Sequence, residues 1–234
     1  MRSTFVAGVA FAMSFTSSVI AAESICFGTV SNGRLENSVK LPGEGNNFTS
    51  YSSLGATLGR THVHSKVAQI VLAAYRAMEQ SAAGKVFVYG ETGWSSGGQI
   101  RPHRTHQNGL SVDFMVPVVD AAGRSVPLPT HVSNKFGYNI NFDVNAQYQG
   151  YTPGLSIDFE AIAEHIYQLD IASKAQDAGI ALVIFDPPYL PKLFATKRGG
   201  YLKSHLKFLQ RSAWVRHDEH YHVDFSIPCQ AMRG

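Results

Sequence analysis

The chain has 234 residues and a formal net charge of +3. That length can enclose one large domain or two small ones, and a single domain over residues 23–234 is the expectation. The basic residues are scattered rather than clustered, which excludes the electrostatic footprint of a nucleic-acid binder and names no protein partner.

Residues 1–22 carry one basic residue near the start, Arg2, then an apolar stretch broken by Ser14, Thr16, Ser17 and Ser18, then the small residues Ala21 and Ala22. This is the layout of a secretory signal peptide. The run falls short of the ~20 apolar residues that a spanning helix needs, so the expectation is a cleaved leader with no integral membrane segment afterwards. The mature chain would then be periplasmic or secreted. Only Cys26 and Cys229 are present. In an oxidising compartment they can pair if the fold brings them together, and so long a closed loop stabilises by about 4–5 kcal/mol on the chain-entropy model.

Residues 23–60, rich in Gly, Asn, Ser and Thr, read as an irregular N-terminal arm. Val67, Ile70, Val71, Ala74, Tyr75 and Met78 recur at helical spacing and predict an amphipathic helix. Two β-prone runs, 86–89 and 110–116, predict adjacent strands joined by a Gly-rich connection. The polar, aromatic stretch 117–155 reads as a further hairpin or a loop edging a cleft. A second helix is expected over 157–179, with Gly179 ending it, then a buried strand over 180–185 stopped by Pro187 and Pro188. A basic, partly helical stretch leads to a final strand at 221–227.

Five of the ten histidines fall in two short segments, HRTHQNGLSVD (103–113) and HDEHYH (217–222). Zinc accepts imidazole nitrogen and carboxylate oxygen, and a catalytic site uses three protein ligands with a fourth position left for water. His106, Asp113 and His222 supply that set for one catalytic Zn2+. On a strand, His220 and His222 project from one face, with Tyr221 and Val223 on the other. The pair His62 and His64 has no matching carboxylate motif and reads as a solvated helix start. His131, His165 and His205 read as ordinary.

The spacing His-x6-Asp followed by His-x-His resembles the superfamily of lysostaphin-type peptidases, D-alanyl-D-alanine peptidases and hedgehog domains. YGETGWSSGGQIRPHRTHQNGLSVDF and WVRHDEHYHV more closely resemble the penicillin-insensitive murein endopeptidases, with Ser111 standing where that family usually has an acidic residue. The resemblance implies an α+β fold, in which a small antiparallel sheet flanked by helices and long loops carries a zinc site in a groove. It also implies peptidoglycan as the substrate, cut at an amide of its peptide cross-links, with the D-alanyl-diaminopimelate bond as family precedent.

In that chemistry a base removes the proton of the attacking water. His220 is the first candidate, and Glu219, three residues before His222, is its rival. His217 is expected to donate to the developing oxyanion or to position water, and His103 to line the cleft. Trp94, Tyr138, Tyr148 and Tyr151 are candidates for glycan or peptide contact or for plain packing, and Gly97 and Gly98 for substrate approach or a tight turn. The competing functions are a murein carboxypeptidase or amidase, and a non-catalytic zinc-stabilised wall-binding domain.

Overall fold

A computed structural model describes residues 22–213 and 215–232. The proposed leader lies outside the described residues, and among these no helix is long and apolar enough to cross a membrane.

The N-terminal stretch is not the irregular arm that its composition suggests. It forms the hairpin β1 (Ile25–Thr29) and β2 (Asn32–Glu36), then β3 (Val39–Lys40), β4 (Phe48–Ser50) and the short helix α1 (Ser53–Thr57). Strands of two to five residues give little periodic signal, and these are held by pairing rather than by patterning. Gly28 and Gly33 face each other in the hairpin, and β3 pairs with β5 (His62–Val63). A disulfide joins Cys26 on β1 to Cys229 and ties the two ends of the described chain.

Helix α2 (Ser65–Ser81) buries the apolar stripe that its spacing predicts, from Val67 to Met78. His64 caps it by accepting a hydrogen bond from Lys66 N–H at 3.2 Å. His64 is buried rather than solvated, because residues 23–24 and the Gly109 carbonyl close over it. β6 (Phe87–Tyr89) and β7 (Ser111–Met115) are the two adjacent strands expected, antiparallel through Tyr89 and Phe114.

The stretch 117–155 supplies both a hairpin and a cleft edge. β8 (Val118–Val119) pairs with β9 (Ser125–Val126) and with β10 (Ser156–Ile157), and between them a 3-10 turn runs over Val132–Gly137. Helix α3 (Phe159–Lys174) starts on an Asp158 cap and ends five residues short of Gly179. That glycine instead begins β11 (Gly179–Ile184), because Asp177 takes the left-handed turn conformation in its place. Past a 3-10 turn at Pro187–Tyr189 come α4 (Leu190–Phe194), α5 (Gly199–His205) and the last strand, β12 (His220–Ser226).

The main sheet has the order β11-β12-β7-β6-β4. It is mixed rather than wholly antiparallel, since β4 lies parallel to β6. Strand alternation divides its centre into two faces. Val112, Phe114, Tyr221 and Val223 are buried toward the helices, where Tyr75 of α2 and His165 of α3 pack on Phe114. Ser111, Asp113, His220, His222 and Asp224 occupy the opposite face, with Asp113 directly across from His222 and Ser111 from Asp224. The fold is therefore α+β, with helices on one face of the sheet and its polar chemistry on the other.

Candidate metal centre and active site

Asp113 is the hub of the polar face. It is fully buried, and its Oδ1 lies 2.8 Å from His222 Nδ1 and 3.2 Å from His106 Nε2. Its Oδ2 lies 3.6 Å from His103 Nδ1 and 3.8 Å from His220 Nε2, and accepts a hydrogen bond from Tyr138 Oη at 2.9 Å. Burial by itself would raise the Asp113 carboxyl, but His106, His220 and His222 outweigh it and hold the group well below the usual carboxylate range.

Each imidazole is turned by a partner behind it. His106 has φ of 67°, a left-handed conformation uncommon outside glycine, and its Nδ1 lies 3.1 Å from the Thr92 carbonyl. A carbonyl can only accept, so Nδ1 carries the proton and Nε2 presents its lone pair toward Asp113. That Nε2 is buried without a hydrogen-bond partner. His103 Nε2 meets Glu91 at 2.7 Å, leaving Nδ1 on the Asp113 side. Burial works to raise Glu91, but His103 and Arg60, the latter bonded to it through Nε and Nη2, hold it low. His222 Nε2 meets Asp224 Oδ1 at 2.8 Å, and the same oxygen accepts from Ser111 Oγ at 2.6 Å. Burial opposes a charge on His222, yet Asp224 and Asp113 prevail and push it up to about 10.

His103, His106 and Asp113 form a group whose donor atoms all lie within 4.8 Å of one another, close enough to hold a metal ion. His222 joins them through Asp113. The set of imidazole nitrogen and carboxylate oxygen, with an orphaned buried Nε2 among the donors, fits a divalent cation of zinc type. The carboxylates and carbonyl behind the rings are the outer partners that fix tautomer and aim in such sites.

His220 and His217 stand beside this group, with ring centroids 4.5 Å apart. His220 Nδ1 meets Glu219 Oε1 at 2.9 Å, which leaves Nε2 on the Asp113 side. Burial lowers His220 to about 4 and His217 to about 3, so both are neutral near pH 7. Burial and Asp218 raise Glu219 well above the carboxylate range. His217 Nδ1 donates to the Val215 carbonyl at 2.9 Å, so its Nε2 is the acceptor nitrogen. Asp218 anchors the motif to the 117–155 stretch by accepting from Phe142 N–H at 2.8 Å.

A cleft of about 540 Å³ opens over these residues, lined by Glu91, His103, Tyr138, His217, His220 and His222 among others. Tyr138 reaches Asp113 because residue 90 is glycine. A Cβ there would lie 2.5 Å from Tyr138 Oη and 2.9 Å from Asp113 Cβ. Of the other aromatic candidates, Trp94 bonds the Gln99 carbonyl under Arg60, Tyr148 packs on Phe142 and Tyr151 is fully exposed. Gly97 forms a tight turn, since a Cβ there would meet the Gln107 carbonyl at 2.3 Å. His62 bonds Ser38, His131 bonds Ser133, and His205 stacks on Tyr201, all outside the cluster.

Sequence reading singled out neither Asp224 nor Glu91. Asp224 was accessible through strand alternation, since it lies two residues beyond His222 on the same face. Glu91 carries no local signal, because its partners Tyr51, Arg60 and His103 come from three separate segments.

Such a site, with buried donors opening on a cleft beside neutral imidazoles, could hold a metal ion. The chain belongs to the penicillin-insensitive murein endopeptidase family, whose model matches residues 26–147. The match includes His103, His106 and Asp113 and stops before the closing histidine motif. No curated protein matches the chain.

Proposed function

We propose that the protein is an exported, zinc-dependent endopeptidase that hydrolyses the D-alanyl-diaminopimelate amide in peptidoglycan cross-links. Murein endopeptidase activity follows from the family, and the finer reading rests chiefly on one observation. Asp113 is a buried carboxylate ringed by four imidazoles, one of which keeps a buried Nε2 without a partner. Buried ions persist only when paired, and a divalent cation satisfies these donors together.

His106, Asp113 and His222 would hold the metal, and His103 Nδ1 stands near enough to join them. The chemistry that a zinc ion would supply there is positive charge, which would polarise the scissile carbonyl and make water more acidic. Neutral His220 takes the proton of the attacking water through Nε2, while Glu219 holds its Nδ1. Glu219 itself, raised by burial, keeps its proton and is the poorer base. His217 presents an acceptor nitrogen, which suits it to positioning that water rather than to donating to an oxyanion. Tyr138 donates to Asp113 Oδ2, while Oδ1 faces His222 and His106.

Digestion of purified murein by the mature protein, with chelator and with zinc restored, tests this reading. Mass analysis should find zinc-dependent cleavage of cross-linked dimers into monomers. Dimers left intact by folded, zinc-loaded protein, or full activity in metal-free protein, would overturn it.

A further inference from the structure

The cleft over His220 and His222 has a second cleft beside it. This second cleft, of about 500 Å³, lies on the same face of the sheet, floored by Leu182, Ile184 and Asp224. Its floor touches the first through the 2.8 Å bond between Asp224 and His222. A narrow recess that includes Ile184, Ser212 and Ala213 from the second cleft and Val215, Arg216 and His217 from the first also joins them. The donor cluster is therefore bordered by a cleft on either side, which leaves room for chain on both sides of a bond lying over it.

The two ends differ in charge. In the second cleft the only ionic side chains are Arg104, Arg211 and Asp224. Asp224 is buried and committed to His222 and Ser111, whereas both arginines are exposed. Arg211 has no carboxylate partner among the described residues. At the first end Glu91 is engaged with Arg60 and His103, Asp218 with Arg216 and Glu219 with His220, and the exposed Lys135 stands beside these carboxylates, so that end holds charges of both signs.

We infer that the second cleft is the subsite for the carboxylate-bearing arm of the cross-linked stem peptide, with Arg211, which lines the same cleft as Arg104, pairing to that carboxylate. The assignment rests on the murein endopeptidase reading. In a D-alanyl-diaminopimelate link the carbon that bears the scissile nitrogen also carries a carboxylate. A substrate lying across His222 thus brings a negative charge into the end that holds the guanidinium groups. Arginine recognises a carboxylate with paired N–H donors, and a charge-assisted pair of that kind carries both affinity and orientation.

The test is equilibrium binding of an uncrosslinked stem tetrapeptide, which needs no turnover, in its free-acid and amidated forms. Arg211→Gln should weaken binding of the free acid by about tenfold, Arg211→Lys should restore part of it, and amidation should cost the wild type as much. Both arginines are exposed, so the variants should stay folded, and a melting curve checks that. Cleavage of cross-linked dimers by the same proteins is the second readout, with KM raised and kcat little changed in Arg211→Gln. Equal binding of free-acid and amidated peptide by wild type, or unchanged binding in the double variant of Arg104→Gln and Arg211→Gln, would overturn the subsite. Loss of the charge contrast with dimers still cleaved would sink the subsite alone. A persisting contrast with dimers left uncut would retain the subsite and sink the endopeptidase reading.

Discussion

Two buried histidines, one on each face of the central sheet, show what separates a packing imidazole from a candidate ligand. His165 projects from α3 into a cage of Tyr75, Phe87, Phe114 and Tyr221, where its Nδ1 meets only the Tyr221 hydroxyl. Burial lowers it to about 3. His222 is as well buried, but Asp113 and Asp224 flank it and push it up to about 10. The depth is the same and the partners differ. Carboxylates placed across from His222 and two residues beyond it on the polar face turn a buried ring into a candidate ligand, whereas the aromatic face makes His165 a neutral packing element.

Removing the carboxylate at the centre should break that contrast most completely. Asp113→Asn is expected to lower cross-link cleavage on the order of a thousandfold or more and to release bound zinc, as metal analysis of the purified variant would register. Retained zinc and turnover would mean that the cluster is not the metal centre. Next in size is His220→Ala, which should lose about a hundred- to ten-thousandfold in kcat while keeping its metal. Rates and zinc content measured on one preparation separate a lost base from a lost ligand.

Asp224→Asn sharpens the comparison by weakening only the partner behind His222. Zinc affinity should fall by about ten- to a hundredfold, with the fold intact, in a competition titration against a chromophoric chelator. Ser111→Ala should cost less, because Asp224 keeps His222 after losing the serine hydroxyl. An Asp224→Asn variant with wild-type affinity would show that Asp113 alone aims the ring.

The smallest effect concerns the other face. His165 stays neutral in the folded protein down to about pH 3, while an unfolded histidine takes a proton near 6.5. Between these values the unfolded state binds more protons, so the contribution of His165 to stability is full above pH 6.5 and is lost as the pH falls toward 3. Urea unfolding of wild type and His165→Phe across pH 4–8 should therefore converge on acidification, the wild type losing more. Parallel curves would show that His165 does not titrate on unfolding.

Much of the polar face was legible because strand alternation is local. His220 and His222, two apart, had to share a face, and the His-x6-Asp spacing marked His106 and Asp113 without any knowledge of their partners. The helices of 65–81 and 159–174 were legible for the same reason, through apolar periodicity, although Gly179 proved to open a strand. The 23–60 stretch was misread because its strands are short and depend on pairing with β5 and β6.

By itself the sequence determined the chemistry on offer: clustered imidazoles with one carboxylate, two cysteines able to bond, and the alternation that divides polar from apolar faces. Only the tertiary structure decided that Glu91 stands behind His103, that Tyr138 crosses from the 117–155 stretch onto Asp113, and that a second cleft lies beside the first. Side-chain periodicity is a property of neighbouring residues. The orientation of a ligand is set by atoms that the chain brings together from 12 to over 100 residues away.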